Sequence, residues 1–189
     1  RNELLEAEDV ADGIRGRRAQ VLNDVISEHI PPGSMAELWD VPALERVLDA
    51  EYQLEVPVQQ WLDADEKLDE QGVRDKIVAA ADAMYAEKEA MAGENLRQFE
   101  RAILLQSLDN HWREHLAAMD HLRQGIHLRG YAAKNPKQEY KREAFELFER
   151  MLGTIAREVT QITLTVQIRS EADVEAVEPQ EAPVSNVQY

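Results

Sequence analysis

The residues best typed and spaced for chemistry are His111-Trp-Arg-Glu114-His115. The string fits H-x-x-E-H, in which two histidines one helical turn apart hold zinc and the glutamate serves as base. Such a site needs a third ligand, and no residue is marked out for that part. The competing reading is two histidines on a mixed helix face. Asp63, Asp65, Glu66, Asp69 and Glu70 form an acidic run, and charge runs of this kind are ordinarily solvated. There is no G-x-x-x-x-G-K-[ST] loop, no G-x-G-x-x-G and no serine in a G-x-S-x-G context, so neither common phosphate cradle nor a nucleophile elbow is present. The chain has no cysteine, which removes disulfides, zinc fingers and thiol chemistry.

A second candidate would act by contact. The segment from Leu122 to Tyr140 is basic within a chain of net charge −16. Arg123, Arg129, Lys134, Lys137, Lys141 and Arg142 stand there against Glu139 and Glu143, and Tyr131 follows Gly130. Residue types alone leave two readings. One is a solvated turn whose charges offset the acidic remainder. The other is a contact tip for a polypeptide, a membrane surface or a partner protein, with Tyr131 able to stack on or hydrogen-bond to an irregular chain. Too few apolar residues lie there to insert in lipid. The acidic balance argues against nucleic acid as a specific ligand, because phosphate contacts need a basic face.

The elements that must carry these groups read as helices. Asp9 is placed to cap a helix carrying Val10, Ile14, Val21, Val25 and Ile26, which Pro31-Pro32-Gly33 stops. Ser34 and Glu37 have the spacing of a capping box. Trp39, Leu44, Val47 and Leu48 follow, and Pro57 suits a helix start before Trp61 and Leu62. These short pieces predict a compact helical subdomain, more mobile than its neighbours because it buries less per residue. Val73, Ile77, Ala80, Met84, Lys88 and Met91 form a further stripe, interrupted at Gly93. Another runs from Leu96 through Leu104, Leu108, Trp112 and Met119 to Ile126.

Pro136 restarts the chain. Ala144, Phe148, Met151, Ile155, Val159, Ile162 and Val166 then step by threes and fours, an a/d seam over about three heptads. The β-branched run from Val159 to Val166 reads alone as a strand, but the heptad phase continues through it, so helix is expected. The predicted unit is an antiparallel hairpin of two long helices turning between Gly125 and Pro136. Trp39, Trp61 and Trp112 are expected in packed positions, and Met84, Met91, Met119 and Met151 on the seams. Residues 170–189 are acidic, hold two prolines and no basic residue, and read as a disordered tail. No apolar run approaches the roughly 20 residues of a membrane span. The fold class is therefore all-α.

The block from Leu105 to Glu143, with Asp120-His-Leu-Arg-Gln-Gly-Ile-His-Leu-Arg-Gly-Tyr131 at its centre, closely resembles the C-terminal part of SecA, the ATP-driven motor of bacterial protein export. Arg1-Asn-Glu-Leu-Leu5, Ile30-Pro-Pro32 and Trp39-Asp-Val-Pro42 extend the resemblance upstream, less specifically. The resemblance implies that residues 1–6 end a long scaffold helix and that residues 7–92 form a helical wing. Residues 93–169 would then be a two-helix finger and the scaffold return helix, and residues 170–189 an acidic linker. It also implies that Tyr131, with Arg129 and Lys134, touches translocating polypeptide and a SecY-type membrane channel. Asp120, Arg123, Gln124, Ile126 and Leu128 would lie in a segment that restrains ATPase activity.

The implied partners are unfolded preprotein, that channel, and motor domains of the same polypeptide, with an anionic membrane surface also open. The implied location is cytoplasmic and peripheral to the inner membrane. The phosphate-binding motifs and the cysteine-rich zinc motif of the family are absent from this sequence. Whether the chain is itself an enzyme stays open: no cofactor is expected on it, and ATP with magnesium, and zinc, belong to other parts of such a protein. The rivals to this reading are a non-motor interaction scaffold and a zinc hydrolase built on His111, Glu114 and His115.

Overall fold

The computed structural model describes residues 10–126 and 135–168. Those residues form six α-helices, one 3-10 turn and no strand. They are α1 (Ala11–His29), the 3-10 turn (Ala36–Leu38), α2 (Val41–Tyr52), α3 (Val58–Ala64), α4 (Glu70–Ala92), α5 (Glu94–Gly125) and α6 (Pro136–Thr165). The all-α expectation holds. The disputed run from Val159 is helical as far as Thr165, and Val166 lies just past the helix end.

Local chemistry sets most of the boundaries. Asp40 accepts the Ala43 N–H at 3.1 Å, so α2 starts with a filled cap and Pro42 in its first turn. Asp69 caps α4 by accepting the Gly72 N–H at 2.8 Å. Asn135 accepts the Lys137 N–H at 3.1 Å, with Pro136 opening α6. Between α4 and α5 stands Gly93 alone, at φ 50° and ψ −124°, a backbone conformation that side-chain-bearing residues avoid.

Of the two caps expected from the sequence, one falls outside the described residues and one comes out differently. Asp9 lies outside the described residues. The Ser34–Glu37 capping box does not form: the Ser34 hydroxyl donates to the Pro31 carbonyl at 2.5 Å and accepts the Trp39 indole N–H at 3.0 Å. Only a 3-10 turn follows. The Trp39 indole N–H fills the place on the hydroxyl oxygen that a backbone N–H of the helix start would have taken.

Burial divides into two apolar clusters. The larger joins Leu22 and Ile26 of α1, Leu44, Leu48 and Tyr52 of α2, Val58 of α3 and Ile77 of α4, and it also receives Leu96 and Leu164 from the roots of α5 and α6. The smaller joins Val10 and Ile14 to Leu104 of α5 and to Met151, Ile155 and Val159 of α6. The short-element region is uneven: Leu44, Leu48, Tyr52 and Val58 are fully buried, while Met35 and Leu38 around the 3-10 turn are exposed, as are Trp112, Leu116, Phe145, Phe148 and Leu152 on the hairpin. A helix packed on several sides loses more surface than one half of a two-helix pair.

Candidate functional site

α5 and α6 run antiparallel: rising numbers on α5 meet falling numbers on α6. Ser107 and His111 meet Glu158, and His115 meets Phe148. The helices end and restart at Gly125 and Pro136, where the turn was expected. Leu128, Arg129, Tyr131 and Lys134 lie outside the described residues.

The approach to the tip is described. Asp120 accepts from Arg123 Nη2 at 2.9 Å and from Gln124 Nε2 at 2.7 Å, so three of the expected restraining residues form one exposed cluster on the last turns of α5. Ile126 is buried just past the helix end. On the facing helix, Arg142 pairs with Glu139 at 2.7 Å and lies 3.7 Å from Glu146. Part of the basic surplus of this end is thus neutralised locally.

The two histidines of the H-x-x-E-H string do different things. His111 Nε2 lies 2.7 Å from Glu158 and Nδ1 lies 3.3 Å from Glu114. Ser107, itself buried, donates its hydroxyl to the same Glu158 oxygen. That hydrogen bond, followed by the His111 contact, holds the Glu158 carboxyl below its ordinary pKa despite some desolvation. His115 instead sits in an aromatic row, 5.4 Å from the Trp112 ring and 5.8 Å from Phe148. No group of three His, Cys, Asp or Glu residues among those described is arranged to hold a metal ion. The string forms a polar tie across the hairpin, and the zinc reading has no geometric support.

The aromatic row belongs to a larger exposed stripe. Trp112 and Leu116 are one turn apart on α5; Phe145, Phe148 and Leu152 are spaced by three and four on α6, hence on one face. Leu116 is 52% exposed and Phe145 61%. Nearer the wing, Met151, Ile155 and Val159 are buried. The hairpin thus has a sealed root and an open apolar shaft. Trp112, expected in a packed position, is 43% exposed, and so is Met91 at 66%; Trp39 and Trp61 are partly buried against the core. Periodicity finds a stripe without finding what lies over it.

Several tying contacts were not expected from the sequence. Lys88 of α4 donates to the Leu164 carbonyl and, at 2.7 Å, to that of Val166, closing the C-terminal end of α6. Burial lowers the Lys88 pKa. Arg157 of α6 reaches Glu28 of α1 at 2.7 Å. Within the acidic run, Asp65, Asp69 and Glu70 have local duties. Asp65 accepts the Lys67 N–H and Asp69 caps α4. Glu70 accepts the Gly33 N–H at 2.7 Å and Arg74 Nε at 2.8 Å, and the Gly33 bond leads in lowering its pKa.

Residues 1–167 match the SecA wing and scaffold domain family. The chain belongs to that family. It is 65% identical to the protein translocase subunit SecA of Thiobacillus denitrificans over the whole chain, which is 21% of that protein. It is 60% identical to the subunit of the same name from Methylobacillus flagellatus and 55% to that of Chromobacterium violaceum, again over the whole chain and 21% of each relative. The chain spans about a fifth of the length of these relatives. Among the described residues of this SecA wing and scaffold segment, no helix is long and apolar enough to cross a membrane.

Proposed function

We propose that this chain is the part of a SecA-type translocase that carries motor motion to a polypeptide-engaging tip. The observation that carries the reading is a long helical hairpin, rooted in a packed helical body, within a chain matched end to end by translocase subunits. In this reading, residues 7–92 are the wing and residues 93–169 the finger and scaffold return. Motor domains elsewhere in the polypeptide bind ATP with magnesium and move against the scaffold, and zinc belongs to a further part.

Stiffness favours the arrangement. Two paired helices transmit displacement along their length, whereas an unpaired loop of that size would bend. The exposed stripe of Trp112, Leu116, Phe145, Phe148 and Leu152 fits docking of other parts of the same polypeptide, since an apolar patch of this kind is normally covered. Tyr131, with Arg129 and Lys134, engages unfolded preprotein at a SecY-type channel, and anionic lipid beside the channel adds attraction for the basic tip. The segment holding Asp120, Arg123, Gln124, Ile126 and Leu128 restrains ATP hydrolysis when no substrate is engaged. Such a protein works in the cytoplasm, peripherally bound at the inner membrane.

The test is Tyr131→Ala in the full-length protein. Translocation of a secretory chain into inverted membrane vesicles should fall several-fold, with the unfolding midpoint unchanged. Equal translocation by the variant would remove the role given to the tip.

A further inference from the structure

The two helices of the hairpin are held to the wing in different ways. α6 is anchored. Thr163 and Leu164 near its end are fully buried, Leu164 in the main core. Its last carbonyls are clamped by Lys88, and Arg157 ties it to α1 through Glu28.

α5 follows α4 through a one-residue link, Gly93, and its root packs on the wing through Leu96 and Leu104. At φ 50° and ψ −124° Gly93 caps α4, its N–H donating to Glu89 at 2.9 Å, and the next residue opens α5. A Cβ at Gly93 would meet nothing within 4 Å. Glycine is needed there for its backbone freedom and not for close packing.

Beyond Gly93, the buried side of α5 is half polar: Leu96, Glu100, Leu104 and Ser107. Glu100 holds the core position between two leucines and has no exposed surface. Tyr85 of α4 donates its hydroxyl to Glu100 at 2.5 Å, and Arg97 donates to both Glu100 oxygens at 2.9 and 2.8 Å. Arg97 also pairs with Glu89 across the glycine. Arg18 of α1 lies 4.4 Å from the centre of the Tyr85 ring and pairs with Asp82. A buried ion pair adds little net stability compared with apolar packing of equal volume, yet it fixes one arrangement while it is intact.

From this asymmetry we infer that Glu100 is a conformational latch: it holds α5 against α4, and its release lets α5 swivel about Gly93 while α6 stays fixed in the wing. The hairpin is then two working parts, an anchored strut and a latched rod. The inference stands on the described contacts and does not depend on the role proposed for the tip.

The absence of native cysteine allows clean paired labelling. In the 189-residue chain, spin labels at Glu87→Cys with Ala117→Cys report α4 to α5, and labels at Glu87→Cys with Glu149→Cys report α4 to α6. Pulsed electron-electron resonance distances are compared for the parent sequence, Glu100→Gln and Tyr85→Phe. Each latch variant should broaden the α4–α5 distribution or split it into two, the parent keeping one narrow peak. The α4–α6 distribution should stay as in the parent, with helicity by circular dichroism unchanged. Unchanged α4–α5 distances in folded variants would overturn the inference, and so would equal changes in both pairs, which mean that the hairpin moves as one body. Tyr85→Phe removes one hydroxyl and keeps the ring beside Arg18, so it decides the matter if Glu100→Gln does not fold. Loss of fold in both variants would make the cluster a structural core element and overturn the latch.

Discussion

The tie between Ser107 and Glu158 offers a sharp test of how the hairpin is held. Ser107→Ala removes a buried hydroxyl whose proton is given to the Glu158 carboxylate. A hydrogen bond to a charged group contributes about 1.5–3 kcal/mol when well buried. The Glu158 side chain is 39% exposed, so water screens the bond and replaces part of it, and about 1 kcal/mol is expected. In a chain of this size that corresponds to a melting point lower by about 2–4 °C. The assay is a double-mutant cycle of Ser107→Ala and Glu158→Gln by urea unfolding, with a coupling of about 0.5–1.5 kcal/mol near neutral pH. The pH dependence has a definite sign. Ser107 first, then His111, lower the Glu158 pKa in the folded chain. The folded state therefore binds that proton less readily than the unfolded state. The stabilisation is complete above the ordinary carboxylate value of about 4.3 and is lost as pH falls through the lowered folded value. A coupling below about 0.3 kcal/mol near pH 7, or one that persists undiminished in acid, would refute the tie.

Two further outcomes follow from burial and backbone geometry. Leu164→Ala, at the fully buried root of α6, should destabilise the chain by about 2–5 kcal/mol, whereas Leu152→Ala on the open shaft should change it by less than about 1 kcal/mol; chemical denaturation of both variants checks the contrast. Gln53 ends α2 with φ 53° and ψ 34°, so Gln53→Gly should relieve left-handed strain and raise stability by about 0.5–1 kcal/mol after its own entropy loss, read as a higher urea midpoint at unchanged slope.

The helices were legible because their signals are local. Gly125 and Pro136 bracket the turn, and Asp40, Asp69 and Asn135 supply caps within three residues of the groups they satisfy. The seam phase settled the β-branched run in favour of helix, since Met151, Ile155 and Val159 recur at one face whatever their intrinsic preference. What failed was whatever depended on a distant partner. Trp112 has a core phase but lacks the neighbours that would bury it. Ser34 is the local exception: it had a matching glutamate three residues on, yet its hydroxyl is taken by Pro31 and Trp39. Lys88 sat in an apolar stripe with no local reason, because its partners are 76 and 78 residues away. Glu100 was passed over between Leu96 and Leu104, although a charge at a core phase is itself a signal of buried partners.

The open shaft and the sealed root bear on each other. A two-helix pair cannot bury both of its apolar faces, so aromatic residues at Trp112, Phe145 and Phe148 leave surface that a freestanding hairpin gains nothing by exposing. Polar residues at those positions would have served solubility better. The root shows the opposite choice: Thr160 and Thr163 are buried there beside Val159 and Leu164, and the Thr163 hydroxyl returns to the Val159 carbonyl at 2.7 Å, so that buried hydroxyl is satisfied without a partner helix. The chain therefore completes its own packing where the hairpin meets the wing and leaves it incomplete along the shaft. A rod that must be gripped from outside has this distribution of surface. A rod that merely separates two domains would be polar on every outward face.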